Sequence, residues 1–120
     1  MVAISFERRF AGAIATGKKR QTVRRERKRP IATGDRLQLY TGMRTKSCRK
    51  LADAVCTGTE AITIDEGELF LGGRFLDAHD REGFAWADGF KNFDAMVAWF
   101  SQKAGLPFEG RVIKWRLADG

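Results

Sequence analysis

Within Gly17-Lys18-Lys19-Arg20-Gln21-Thr22-Val23-Arg24, an amine, a hydroxyl and a guanidinium follow one glycine at spacings of two or three residues. A lysine amine acts as a point charge or a general base, a threonine hydroxyl as a nucleophile when activated, and an arginine as a fixed fork of donors for an anion. Together they make the inventory of a site for a polar, nucleotide-like ligand. Glycine commonly ends a helix, so the segment is expected to run from a short helix into a strand. Thr22 and Arg24, two residues apart, then share one strand face, with Gln21 and Val23 on the other.

The flanking sequence supplies elements to hold this segment. Val2 to Phe6 alternates as a first strand, and Phe10, Ala13 and Ile14 fall at the spacing of a short helix that stops at Gly17. Arg27-Lys28-Arg29-Pro30 breaks regular structure and forms a basic loop ahead of a Thr33-Gly34-Asp35 turn. Arg36 to Tyr40 alternates cleanly and delivers a second basic loop, Tyr40 to Lys50, expected to face the Gly17 to Arg24 segment across the ligand cleft. Two strands, Leu51 to Thr57 and Ala61 to Ile64, are expected with a bend at Gly58, then a short strand at Leu69 to Leu71. Phe93, Met96, Val97 and Phe100 form the apolar stripe of a helix capped by Asn92 and stopped by Gly105. A last strand, Arg111 to Leu117, is expected to close the sheet. Short, closely spaced strands suit a small barrel.

At 120 residues the chain is expected to form a single domain over 1–120. Lacking a membrane span or signal-peptide pattern, it is expected in the cytoplasm without a membrane partner. Two cysteines, Cys48 and Cys56, and one histidine, His79, are too few for a Cys/His zinc cluster or a disulfide framework, and no metal or other cofactor is expected. The net charge of +7 hides an asymmetry: residues 18–50 carry 13 Lys and Arg against two acids, residues 51–90 two against nine. One part of the chain is suited to polyanions, which general solubility does not require.

These residues resemble the ASCH family, small β-barrels of the PUA-like superfamily. The resemblance rests on Gly17-x-Lys19-x-x-Thr22-x-Arg24, on Gly34-Asp35 before the strand ending Tyr40-Thr41-Gly42, on Asp88-Gly89-Phe90 ahead of Phe93-x-x-Met96, and on Leu106-Pro107-Phe108-Glu109-Gly110 leading to Lys114-Trp115. It covers nearly the whole chain. It implies an α+β fold, a small PUA-like β-barrel flanked by two or more short helices. The activities it implies are deacylation of N4-acetylcytidine, RNA binding and single-strand ribonuclease action.

For deacylation the resemblance places the catalytic roles on Lys19 and Thr22, with a downstream acid at Asp88 or Glu82, of which Asp88 has the better spacing to the final helix. Thr22 would attack the acyl carbon after losing a proton to Lys19. An ordinary lysine, with a pKa of ~10.4, is no base at neutral pH, so burial or the neighbouring cations must lower it. Lys19 must also lie in the turn before the strand, because residues three apart on a regular strand face opposite ways. Arg24, Arg25, Arg27, Arg44 and Lys46 are expected to bind substrate, chiefly through phosphates. Tyr40 is expected to stack a base, as is the Phe84 and Trp86 region. The partner is thus a nucleoside, a nucleotide or single-stranded RNA.

Overall fold

Alternation and helical spacing are realised as a mixed sheet of seven strands with three helices in the computed structural model, which describes residues 2–118. In chain order these are β1 (Val2–Phe6), a short 3-10 turn, α1 (Ala11–Ala15), β2 (Gln21–Arg24), β3 (Arg36–Thr41), β4 (Arg49–Asp65), β5 (Glu68–Leu71), β6 (Arg74–Phe75), α2 (Ala78–Ala87), α3 (Phe93–Lys103) and β7 (Phe108–Leu117). The class is α+β. No helix among the described residues is long and apolar enough to cross a membrane.

The long strand β4 organises the sheet. One edge carries β3 and, further along, β5; the opposite edge carries β7. β1 runs parallel to β3, β2 runs antiparallel to β7, and β6 extends from β5. Two expectations change here. The two strands expected on either side of Gly58 are one strand, because its ladder with β7 continues through a register shift between Cys56 and Gly58. A bulge can absorb one extra residue without ending a strand. β7 does not close the sheet but lies inside it, between β4 and β2.

β1 and β2 therefore end the order β1-β3-β4-β7-β2, and no ladder joins them. A side chain spans the seam instead: Arg24 on β2 donates through Nη2 to the Ser5 carbonyl on β1 at 2.7 Å, and its guanidinium lies 4.8 Å from the Phe6 ring centre. Near the end of β2 the neighbouring backbone comes close. A Cβ at Gly110 would collide with the Arg24 carbonyl, so only glycine allows β7 to lie against β2 there.

The core is one cluster in which Ile14 of α1, Leu37 and Leu39 of β3, Ile64 of β4, Leu69 of β5 and Met96 of α3 are almost wholly excluded from water. Burying such a side chain stabilises the fold by ~1.5–3 kcal/mol. α3 begins where Asn92 Oδ1 accepts from the Ala95 amide at 2.8 Å, and its Phe93, Met96 and Phe100 are buried as the stripe predicts. α2 was not expected. It buries only Phe84 and Ala85, too little for a periodic signal, and its start is marked by Asp77 accepting from the Asp80 amide.

Candidate functional site

Lys19 is aimed by the end of α1. The helix stops, the chain turns, and the Lys19 amide donates back to the Ala13 carbonyl at 2.9 Å before β2 begins at Gln21. Lys19 thus sits in the turn that the spacing argument requires. Its side chain enters the protein, and the residue is only 2% exposed. Nζ donates to the main-chain carbonyl of Asp88, lies 3.5 Å from Asp88 Oδ1, and is 5.0 Å from the centre of the Phe10 ring.

Asp88 arrives from the other half of the chain as the C-terminal cap of α2. The amide of Phe90 returns to the Ala85 carbonyl, and Gly89 makes the intervening turn at φ 98°. A Cβ at Gly89 would stand 2.8 Å from Phe10 Cε1. The glycine therefore lets this turn press against the aromatic ring beside Lys19. Asp88, 3% exposed, also accepts from Gln21 Nε2 at 3.4 Å. Gln21, the first residue of β2, thus turns its amide toward the acid.

Thr22, 5% exposed, accepts from Arg24 Nε at 3.2 Å, so the two residues share a face as the alternation predicts. Among the described residues no hydrogen bond joins Thr22 to Lys19. Burial is the largest influence on both members of the Lys19–Asp88 pair. It pushes the ammonium below the ordinary lysine value of 10.5, aided by Arg24 and Arg9 and opposed by Asp88. It pushes the carboxyl above its ordinary 3.8, opposed by Lys19, Gln21 and Arg24. Desolvation thus draws each partner toward its uncharged form, and a free amine is what a lysine base requires.

Lys19, Thr22, Arg24 and Asp88 line a cavity of about 150 Å³, whose apolar wall includes Phe6, Phe10, Val23, Phe90 and Phe100 and whose remaining lining includes Ser5, Glu7 and Trp99. The expected cleft between residues 17–24 and the loop 40–50 is therefore corrected. The wall facing β2 comes from the end of β1, from Asp88 to Phe90, and from α3. The 40–50 loop borders a second, open depression of about 620 Å³, lined by Thr41, Gly42, Met43, Thr45, Ser47 and Arg8 together with Ser5, Phe6 and Glu7.

The other candidates lie outside the enclosed cavity. Glu82 accepts the Phe93 amide at 2.8 Å and so serves the start of α3. Tyr40 is half-buried on β3, facing away from Leu39 and Thr41; Phe84 is in the core, while Trp86 is 73% exposed. Arg25 donates to the Ala104 carbonyl at 3.3 Å and lies over Phe108, and both Arg25 and Arg27 border a smaller hollow with Pro30 and Arg111. Arg44 and Lys46 are exposed in the second loop. Cys48 is exposed, Cys56 is buried and both are free; His79 is on the surface. Among the described residues no group of three or more His, Cys, Asp or Glu comes together that could hold a metal ion.

Around the cavity are groups that the sequence reading did not single out: Glu7 and Trp99 line it, and Gln21 bonds Asp88 from outside it. Gln21 lay inside the motif, unmarked because neutral amides seldom signal chemistry. Glu7 and Trp99 are 92 residues apart and meet through Trp99 Nε1, which donates to Glu7 Oε1 at 3.4 Å. The chain matches no family model, no curated protein and no solved structure.

Proposed function

We propose that the chain is a hydrolase that removes an acyl group from the exocyclic nitrogen of cytosine, N4-acetylcytidine being the type substrate. One observation carries this reading: a desolvated lysine and carboxyl share a small cavity with a threonine hydroxyl held by an arginine. The motif resemblance to the ASCH family supports the same activity. On this reading the sheet is a PUA-like barrel left open at the β1–β2 seam, and Arg24 spans that seam beside the cavity.

The chemistry follows from these positions. The free amine of Lys19 takes the Thr22 proton as the hydroxyl oxygen bonds to the acyl carbon. Arg24, already donating to that oxygen, stabilises negative charge on it as the proton leaves, before the charge passes to the acyl carbonyl oxygen. Lys19 then returns its proton to the exocyclic nitrogen, the carbon–nitrogen bond breaks, and cytidine leaves. Water hydrolyses the acyl-threonine ester and releases the acid. Asp88 fixes the lysine and accepts from the exocyclic amine. Because no hydrogen bond joins Lys19 to Thr22 among the described residues, substrate binding must bring them together, as often happens at catalytic hydrogen bonds.

Purified protein incubated with N4-acetylcytidine should release cytidine and acetate. Lys19→Ala and Thr22→Ala should each abolish turnover while the fold persists, because the pair acts as a unit. Full activity in either variant would remove the mechanism.

A second reading, single-stranded RNA binding without catalysis, is favoured by one feature. Arg27, Lys28, Arg29, Arg44 and Lys46 are exposed, and none of them forms an ion pair among the described residues. Oligonucleotide binding by a protein inert toward N4-acetylcytidine would favour it.

A further inference from the structure

We propose that the enclosed cavity and the open depression beside it form one bipartite site for a nucleotide, with the base in the enclosed part and its phosphate held by Arg8, Arg44 and Lys46. The inference rests on the base-directed reading above and adds the substrate class.

Size is the first argument. A complete small-molecule pocket measures roughly 300–1,000 Å³, and the enclosed cavity is about 150 Å³. It therefore holds part of a nucleotide-sized ligand, and the rest must leave through a neighbouring space. The depression of about 620 Å³ is that space, because Ser5, Phe6 and Glu7 line both. A ligand reaching over Ser5 to Glu7 from one to the other passes from an aromatic wall to the hydroxyls of Thr41, Thr45 and Ser47 and the Arg8 side chain.

Charge is the second argument. Glu7 is the one carboxylate lining the depression, and it is already engaged: Arg9 lies 3.3 Å and Lys103 3.6 Å from its oxygens, and Trp99 donates to it. Arg8 lines the depression. Arg44 and Lys46 flank Thr45 on the loop that borders it. All three side chains are exposed, and among the described residues none forms an ion pair. One unpaired cation in the depression and two more on the loop that borders it, beside an acid that is already engaged, favour an anionic group.

The loop also has a fixed shape. The Thr45 amide donates to the Gly42 carbonyl at 3.1 Å, the Cys48 amide to the Thr45 carbonyl at 3.2 Å, and the Ser47 amide to Thr45 Oγ1 at 3.1 Å. These bonds hold Arg44 at φ 67°, a left-handed conformation that is uncommon outside glycine. A preorganised loop loses little conformational freedom on meeting a phosphate.

Calorimetric titration of the whole chain with cytidine, cytidine 5′-monophosphate and a cytidine trinucleotide tests the proposal. At low salt the monophosphate should bind about 10-fold tighter than cytidine, the worth of one hydrogen bond to a charged group, and added salt should narrow the gap. An Arg8→Ala/Arg44→Ala/Lys46→Ala variant should bind cytidine unchanged and lose the preference; the single change Arg8→Gln should lose part of it. Trinucleotide binding tighter than the monophosphate identifies a strand as the source of the phosphate, and equal binding a free nucleotide; both support the site. Equal affinity for cytidine and its monophosphate, a preference that survives the triple change, or no binding of the monophosphate would overturn it. Failure of the deacylation reading is distinct: acetylated cytidine and its monophosphate would both stay intact while the phosphate preference remained.

Discussion

Lys19 and Asp88 lie 69 positions apart in the chain, yet the lysine ammonium donates to the aspartate main-chain carbonyl and sits 3.5 Å from its carboxylate, with both residues almost wholly buried. The main-chain bond does not depend on carboxylate charge. It holds the lysine in place while the carboxyl is free to titrate, which separates positioning from electrostatics.

That separation gives a pH prediction. Burial sets the Lys19 pKa below 10.5, and the nearby Asp88 charge opposes the shift. Deacylation should therefore rise with pH through an ionisation below that of an ordinary lysine. Asp88→Asn removes the opposing charge, so the rising limb should move to lower pH while maximal turnover falls. A limb unmoved, or moved to higher pH, would show that Asp88 does not act on Lys19 through its charge. A pH-rate profile of kcat/KM for both proteins decides it.

Stability carries the same signature. The unfolded chain keeps the lysine protonated up to about 10.5, whereas the folded chain releases that proton at lower pH. The unfolded state binds more protons across this window, so the Lys19 contribution makes stability rise with pH there. Asp88 has the opposite sign. Its folded pKa is raised above 3.8, so its contribution falls as pH climbs from 3.8 through the folded value. Lys19→Met should flatten the alkaline rise in denaturant midpoints and, by removing a charge that holds the Asp88 pKa down, carry the acid-side fall to higher pH.

The turn that brings Asp88 to Lys19 depends on Gly89. Alanine there meets Phe10 at 2.8 Å and must adopt φ 98°, so Gly89→Ala should destabilise the protein by about 1–3 kcal/mol. It should also lower activity, because relief of the clash displaces the aspartate. Phe10→Leu removes the ring that crowds the position and should recover part of the stability lost. No recovery in the double variant would place the cost in the backbone conformation alone.

These residues also show how much the sequence revealed. The 3.6-residue stripe of α3 and the alternation of β3 were visible because each buries one face of a regular element. α2 was invisible because it buries only two side chains, Phe84 and Ala85, which are adjacent and give no helical period. The continuity of β4 past Gly58 is set by its ladder with β7, a long-range partner that local sequence does not display. At the site, Lys19, Thr22 and Arg24 were legible because they share one short segment, and Asp88 only through the family resemblance of Asp88-Gly89-Phe90 ahead of α3. The Tyr40 to Lys50 loop was placed opposite them on charge alone, but the space facing β2 is filled by α3 and the end of β1. Which wall meets which is decided by packing, and charge runs carry no such information.

Glu82 and Asp88 make opposed predictions for similar substitutions. The Glu82 carboxylate accepts an amide at the start of α3, where a negative charge meets the positive end of the helix dipole. Glu82→Gln should cost about 0.3–1 kcal/mol of stability and leave turnover near that of the unmodified protein. Asp88→Asn should cost activity far beyond any change in melting temperature. If Glu82→Gln lowered kcat as much as Asp88→Asn did, the carboxyl at the cavity would lose its assigned role.

The basic loops can be divided by what each cation already touches. Arg25 donates to Ala104 and covers Phe108, so part of its work is structural. Arg27, Lys28, Arg29, Arg44 and Lys46 form no ion pairs among the described residues. For single-stranded RNA, log K should fall by about 0.7 per phosphate contact for each unit of log salt. Alanine at any of these five should reduce that slope without changing base preference or melting temperature. Arg25→Ala should lower the melting temperature whether or not it changes the slope. Affinity measured from low to physiological salt separates the groups. Binding without salt dependence, or no binding, would reduce the five cations to solvated surface and leave a small ligand as the sole occupant of the cavity.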